Sequence, residues 1–413
     1  GNTALLVVST NFDLQYDPGV GGTVLSVDPD VSGDSRPPPL GGSGDPTLRV
    51  LGHVNIGSFG GEIDYVQGFD HATGQPACNA MTGLVPPDPV IAADGAYVVA
   101  TSRSLQEVYR ITMGADGSLS CEGCGQKTDP AAYDPFGVTV ACASEGGLHG
   151  AKAYVTHLRS PGNRGYLSEL DFETGRLGPG PLLPFSTYSS SYDPAHRRLF
   201  VSTRLGTLDT NPLSWFDVLL PSTAISFRNV SQDLTGSLPR GMAVSEDGLT
   251  GYLVVELFDR IVASQVGGLV AIGGGLAIYD LSQTALGDPA MKFQGLVPTC
   301  LGSGQVRRIG RSGKRDLVAV TCDFENALLL YDHESGAVAA RIALGPGGRP
   351  ALGRQPFGLA VEPREAGRCL SGSGSCVRLY VASFDQSWVN VLELDPGAPS
   401  SLSLVKRIGG ERL

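Results

Sequence analysis

Three carboxylates, Glu256, Asp323 and Asp385, each follow a short apolar run of alternating character. An oxygen-only set of this kind suits calcium or magnesium, which take hard ligands. Basic or amide side chains stand at comparable places earlier and later in the chain: Asn11, Arg103, Arg159, Arg204, Arg240 and Arg354. They could hold an anionic or polar ligand such as a polysaccharide. His157 alone of the six histidines falls at such a strand end, so it is the candidate general base if the chain is an enzyme. The plain alternative is that equivalent loop positions carry solvated or paired charges, and that a histidine there is structural. No H-x-x-x-H or H-E-x-x-H spacing, G-x-S-x-G elbow or G-x-x-x-x-G-K-[ST] loop occurs. No cofactor is therefore required by any motif, and calcium or magnesium is the one these residues could accept.

The elements that must position these groups are strands. Among 413 residues, 57 are glycine and only 17% are charged, against 41% hydrophobic. That composition disfavours long helices and disorder, and supplies enough apolar surface for a large core. No apolar run is long enough for a membrane helix. Lys and Arg total 30 against 41 Asp and Glu, a net charge of −11, which argues against a nucleic-acid partner. Four period-2 runs recur in order, most clearly Gln355–Pro363, Arg378–Phe384, Trp388–Asp395 and Ser401–Gly409. The third run of each group ends at Asp28, Thr112, Asp171, Asp217, Asp280, Asp332 or Asp395, about 61 residues apart on average. Seven such units predict an all-β, seven-bladed propeller of four-stranded antiparallel blades in one domain over 1–413. The aspartates themselves read as Asx-turn residues.

In this register the second-to-third-strand connections share a face. They place basic groups on blades two to four and acidic groups on blades five to seven. Residues 4–10 match a second strand, so blade one needs an inner strand from elsewhere, with 410–413 the candidate. Insertions are expected at 29–48, 58–88 and 256–275. The last is apolar yet lies at a rim, and its Ile261, Val262, Val266, Leu269, Val270 and Ile272 would form a docking element for another envelope or secreted protein. The flanking Gly267-Gly268 and Gly273-Gly274-Gly275 would hinge it and weaken any tight fold-back, and the rival expectation is a lid folded over the channel.

Eight cysteines in a loop-rich chain suit disulfides and an oxidising compartment. Cys369–Cys376 would close a flexible loop, and Cys300–Cys322 would join the start of a blade to the end of its second strand. Cys78, Cys121, Cys124 and Cys142 would pair among themselves, in one of three ways. Cys121-Glu-Gly-Cys124 lacks the histidine of a haem site, a suitably spaced second pair for zinc, and the βαβ setting of a thioredoxin motif. The expected location is extracytoplasmic: periplasmic, secreted or attached to the outer membrane. A lipid anchor preceding Gly1 would fit.

Tyr331–Gly345, followed by Gln355-Pro-Phe-Gly-Leu-Ala-Val361 and Leu379-Tyr-Val-Ala-Ser-Phe384, resembles the YncE-like or lactonase-like seven-bladed propellers. The resemblance implies that fold and a periplasmic setting. It implies an activity only loosely, since such propellers include lactonases, a lyase and non-catalytic envelope components. The expected function is a non-catalytic protein-binding scaffold or accessory subunit. The alternatives are a lactonase-like or lyase-like enzyme with a metal in the channel mouth, and a small-ligand or polysaccharide binder.

Overall fold

The computed structural model describes residues 5–9, 23–30, 50–57, 60–66, 69–70, 75–76, 96–114, 116–142, 151–159, 164–172, 174–203, 212–218, 225–234, 236–258, 271–282, 291–311, 313–343, 351–364, 368–371, 374–383 and 389–408. They form the seven antiparallel blades of an all-β seven-bladed propeller and a separate two-stranded ribbon, Phe69–Asp70 with Gln75–Pro76, with almost no helix among them beyond a 3₁₀ turn at Val230–Gln232. Contacts divide the chain into two compact units. Blades one to four belong to the first and blades five to seven to the second.

In the first unit, blade one has three described strands, Leu5–Ser9, Thr23–Val27 and Val50–Asn55, paired in that order. Leu5–Ser9 thus occupies the place of a second strand, and residues 409–413 lie outside the described residues. Blade two starts with Gly60–Val66, inside the stretch expected to be a connector, and continues with Ala96–Ser102 and Glu107–Met113. Its fourth position is split between Leu119–Ser120 and Gly125–Lys127, both paired to the third strand. Blade three consists of Tyr133–Cys142, Ala151–Arg159, Leu167–Asp171 and Leu177–Pro179, and blade four of Thr187–Asp193, Arg198–Thr203, Pro212–Asp217 and Ser226–Asn229.

In the second unit, blade five is Ser237–Val244, Thr250–Phe258, Ala271–Asp280 and Lys292–Pro298. Blade six is Ser303–Arg311, Lys314–Cys322, Ala327–Asp332 and Ala337–Ile342, and blade seven is Pro356–Arg364, Cys376–Ser383, Val389–Asp395 and Ala398–Ile408. Alternating side chains of neighbouring blades interlock. Val99 and Val108 pack on Val138, Val140 and Ala153 between blades two and three, and Leu317, Leu328 and Leu330 pack on Leu359, Leu379 and Leu392 between blades six and seven. Such dry, two-sided burial explains why second and third strands read as nearly continuous apolar runs.

The aspartate that ends most third strands shapes the turn after it. Asp171, Asp280, Asp332 and Asp395 each accept a backbone N–H two or three residues on, at 2.7–2.9 Å. A second recurring device is a β-bulge in the first strand of blades two to seven, between Gly60/Ile63, Pro135/Val138, Thr187/Ser190, Pro239/Met242, Ser303/Val306 and Pro356/Gly358. A bulge re-aims side chains and breaks the ladder, so freed backbone groups need partners. A second-strand threonine supplies them. Thr156 Oγ1 accepts the Gly137 N–H and donates to the Tyr188 carbonyl of the next blade (2.6 Å). Thr101 donates likewise to Phe136, and Thr321 to Phe357.

Three disulfides are described: Cys300–Cys322 and Cys369–Cys376, as the spacing suggested, and Cys121–Cys124. Cys78 and the Cys142 side chain lie outside the described residues. Of the glycines expected to hinge the 256–275 segment, Gly273, Gly274 and Gly275 belong to a strand, with Glu256 paired to Gly274 and Val255 to Gly275, while Gly267 and Gly268 lie outside the described residues. A Cβ on Gly274 would stand 2.1 Å from the Cys300 carbonyl oxygen, so close backbone approach is the reason for glycine there. Residues 259–270, with Ile261, Val262, Val266, Leu269 and Val270, lie outside the described residues. No helix among the described residues is long and apolar enough to cross a membrane.

Candidate functional site

The bulge of the first strand, preceded by proline in blades three, five and seven, carries different side chains from blade to blade. In blade five it is held by Arg240, within Leu238-Pro-Arg-Gly241. Its Nε donates to Glu256 Oε2 at 2.9 Å, and a terminal N–H donates to the same oxygen. Glu256 is buried near the end of the second strand of the same blade. In blade six the bulge position is Gly304, and a Cβ there would lie 2.7 Å from Asp323 Oδ1. The missing side chain leaves room for the Asp323 carboxyl. Asp323 follows the second strand directly, its N–H donating to the Gly302 carbonyl at 2.7 Å, and the neighbouring Cys322 is tied to Cys300. Disulfide and backbone bond together fix where that carboxyl points.

Asp323 Oδ1 is buried and has no hydrogen-bond partner. Burial pushes its pKa up to about 7; the nearby Arg240 charge opposes this, and the Glu256 charge adds to it. The cluster therefore holds one guanidinium between one carboxylate committed to it and one carboxyl poised between its two protonation states near neutrality. Such a group can give or take a proton at neutral pH, or accept a hydrogen bond from a bound donor.

Of the proposed metal ligands, Glu256 and Asp323 come together in this cluster, while Asp385 lies outside the described residues. Arg240 already occupies the Glu256 oxygen, so a cation there would have to displace a guanidinium. Among the described residues no three His, Cys, Asp or Glu side chains converge in a way that could hold a metal.

Blades three and four fill the same positions with rings. Phe136 and Tyr188 stand at the bulges of blades three and four, their centroids 5.3 Å apart, and the Arg103 guanidinium sits 5.8 Å from the centre of the Phe136 ring. Arg103 also makes two bonds to Asp134, at 2.5 and 3.0 Å, and Arg159 lies 3.7 Å from the same carboxylate. His157 is fully buried within its strand, with Nε2 2.9 Å from Ser168 Oγ. Burial lowers its pKa to about 4, against the pull of the Tyr133 and Ala132 backbone groups and of Asp134 and Asp129. It sits in the packing of blade three rather than at an open mouth. Arg354 is exposed at the start of blade seven, and Asn11 and Arg204 lie outside the described residues.

Two large apolar side chains border the Arg240–Glu256–Asp323 cluster. Phe324, next to Asp323, is 59% exposed and rests against Gly302, while Ile272 is 62% exposed at the start of the third strand of blade five. Two residues beyond Ile272, Gly274 packs on Cys300, so both side chains belong to the same end of these neighbouring blades. Sequence reasoning placed Glu256, Asp323 and Arg240 on this face but did not foresee the bulge that brings them together. Its visible signal was the repeated Pro-x-Gly in Pro135-Phe-Gly137, Pro239-Arg-Gly241 and Pro356-Phe-Gly358.

No family model matches the chain, and no curated protein matches it in sequence. Solved structures match at the level of fold. A periplasmic gluconolactonase of Pseudomonas aeruginosa aligns with 100% of this chain and 97% of its own, at 15% identity and a TM-score of 0.58. A protein of unknown function from Desulfotomaculum acetoxidans aligns with 98% of this chain and 99% of its own, at 10% identity and a TM-score of 0.53. At these identities the likeness shows the fold, that of a β-propeller spanning the whole chain, and leaves the activity to be argued from the cluster itself.

Proposed function

We propose that this protein works outside the cytoplasm as a non-catalytic propeller scaffold, capturing another envelope or secreted protein on the face of blades five and six. The observation that carries this reading is the exposure of Phe324 and Ile272 beside a charge cluster whose arginine is already neutralised from within. Aromatic and arginine side chains around a partly desolvated centre are the usual anchors of protein interfaces. The three disulfides support an oxidising compartment. Phe324→Asp combined with Ile272→Asp should abolish a complex cross-linked in native envelopes or secretions while circular dichroism and melting stay unchanged. Retention of the partner by the double variant would refute the scaffold reading.

One observation favours a second reading, ester or lactone hydrolysis of the kind named for the gluconolactonase: the Asp323 carboxyl with its pKa near 7. Asp323 would then take a proton from an attacking water, and Arg240 would face the developing oxyanion. Turnover on a lactone panel, lost in Asp323→Asn, separates the two.

A further inference from the structure

The Cys121–Cys124 disulfide belongs to a different part of the molecule. It closes a four-residue loop, Cys121-Glu-Gly-Cys124, between the two short strands that share the fourth position of blade two. Cys121, Glu122 and Gly123 are exposed and Cys124 is half-buried. Gly123 has φ +61°, and a side chain there would meet nothing, so the loop stands clear of the body. It forms one wall of a polar cleft of about 390 Å³, shared with Arg110, Thr112, Gln126 and the Thr174–Gly175 turn of blade three.

The cleft is built rather than incidental. Gln126 Oε1 accepts the Leu177 N–H at 2.9 Å and its amide donates to the Gly175 carbonyl. Arg110 lies over the Tyr97 ring at 4.7 Å and donates to the Phe172 carbonyl at 2.6 Å. A Cβ at Gly175 would come within 2.7 Å of the Arg110 guanidinium carbon, so glycine is needed for that placement. Arg110 forms no ion pair with a carboxylate among the described residues, which leaves a positive charge on a wall of the cleft the disulfide shares.

The other two bridges are less exposed, with Cys369 half-buried like Cys124 and its three counterparts buried. Cys300 and Cys322 are 3% and 0% exposed. Cys376 is 2% exposed, and the loop closed by Cys369–Cys376 is held by the Glu393 carboxylate through the Leu370 and Ser371 N–H groups. That carboxylate is paired with Arg378 at 2.7 Å, whereas Arg110 shares the cleft of the Cys121–Cys124 loop with the exposed Glu122, and a cation beside a disulfide favours thiolate attack. The Cys121–Cys124 loop is also the shortest, so closing it constrains the unfolded chain least. Because both flanking strands pair independently with Glu107–Met113, the blade keeps its ladder when the bridge opens.

We infer that Cys121–Cys124 is a thiol–disulfide exchange site that accepts two electrons from a dithiol. A partner thiolate attacks the exposed Cys121 sulfur, the S–S bond breaks, and Cys124 leaves as a thiolate with the Arg110 charge nearby. The partner's second thiol, losing its proton, then attacks the partner sulfur of the mixed disulfide and releases Cys121. The partner ends as a disulfide, and its two electrons and two protons reside on Cys121 and Cys124. Arg110 acts here as a positioning residue, stabilising the leaving thiolate.

The test uses the whole folded protein, titrated separately with dithiothreitol and with a synthetic Cys-x-x-Cys dithiol peptide, followed by alkylation and mass mapping. Cys121 and Cys124 should become labelled at a dithiol concentration at least roughly tenfold below that needed for the other two mapped bridges, with unchanged circular dichroism. The more efficient reagent then identifies a protein or a small-molecule dithiol as the source. In the reduced protein Arg110→Gln should slow alkylation of Cys121 and Cys124 at pH 7 by roughly tenfold, shift its pH profile upward, and be rescued by Arg110→Lys. Cys124→Ser, given the Cys-x-x-Ser form of the peptide as its mixed disulfide with 2-thiopyridine, should hold the peptide on Cys121 as a stable mixed disulfide, with thiopyridone as the leaving group. Simultaneous reduction of all three bridges, a need for denaturant, or no trapped adduct would each overturn the assignment.

Discussion

The bulge of the first strand recurs in both units, and blades three and four fill it differently from blades five and six. In blades three and four it presents Phe136 and Tyr188, which pack on each other and stay dry. In blades five and six it presents Arg240 and a glycine, and the space is taken by Glu256 and Asp323. The threonine latch is common to the two, with Thr156 bridging blades three and four and Thr321 bridging six and seven. The backbone device is thus satisfied by itself, and the side chain at the bulge is left free to vary. Function has room at such positions because stability has been secured one residue away.

The largest effect that should separate the units comes from Arg240. Arg240→Met strands the Glu256 carboxylate, which is 5% exposed and loses the guanidinium that donates to it twice. Breaking a buried pair from one side costs about 3–5 kcal/mol. Denaturant unfolding at pH 7 should show that loss. An unchanged midpoint would mean that the pair is no more buried than the arginine contacts of the first unit.

Much of this contrast was legible in the chain. The aspartates ending the third strands, from Asp171 to Asp395, marked the blades because a local turn demands them wherever they occur. The grouping of Arg240, Glu256 and Asp323 on one face followed from strand register alone. What register could not supply was depth. His157 stands at a strand end in sequence yet is fully buried, because Ser168 on the neighbouring strand meets its ring. The 58–88 stretch concealed the strand Gly60–Val66, where Gly60-Gly-Glu62 blurs the alternation. A Cβ on Gly61 would meet Thr101 Oγ1 at 2.2 Å, so the residue that hides the strand is the one the latch requires.

The two units should also respond to pH in opposite directions. Asp323 has a folded pKa of about 7 against 3.8 for the free group, so between those values the folded state binds the extra proton. Its contribution is complete below 3.8 and is lost as pH rises through 7. Asp323→Asn should therefore stabilise the protein at pH 8 by about 2–3 kcal/mol and hardly at all at pH 4. For His157 the folded value is about 4 against 6.5, so the unfolded state binds the proton in that window. Its contribution is present above 6.5 and is lost as pH falls toward 4, by about 2 kcal/mol. Melting curves of wild type and Asp323→Asn across pH 4–8 decide this; a parallel pH dependence in the two would show Asp323 to be an ordinary solvated carboxylate.

The smallest effect is expected where the first unit looks most like the second. Arg103 contacts Asp134 as closely as Arg240 contacts Glu256, and it also lies over the Phe136 ring. Its side chain is 30% exposed, however, and Asp134 keeps a second cation, Arg159, at 3.7 Å. Removing Arg103 leaves neither an isolated nor a fully desolvated charge, so Arg103→Met should cost only about 0–1 kcal/mol. The methionine stem can still cover the ring, which preserves most of the packing. What remains of the effect should fade in high salt, since a partly exposed pair is screened. A salt-insensitive loss comparable to that of Arg240→Met would erase the distinction between these two arginines and place a buried charge pair in the first unit as well as the second.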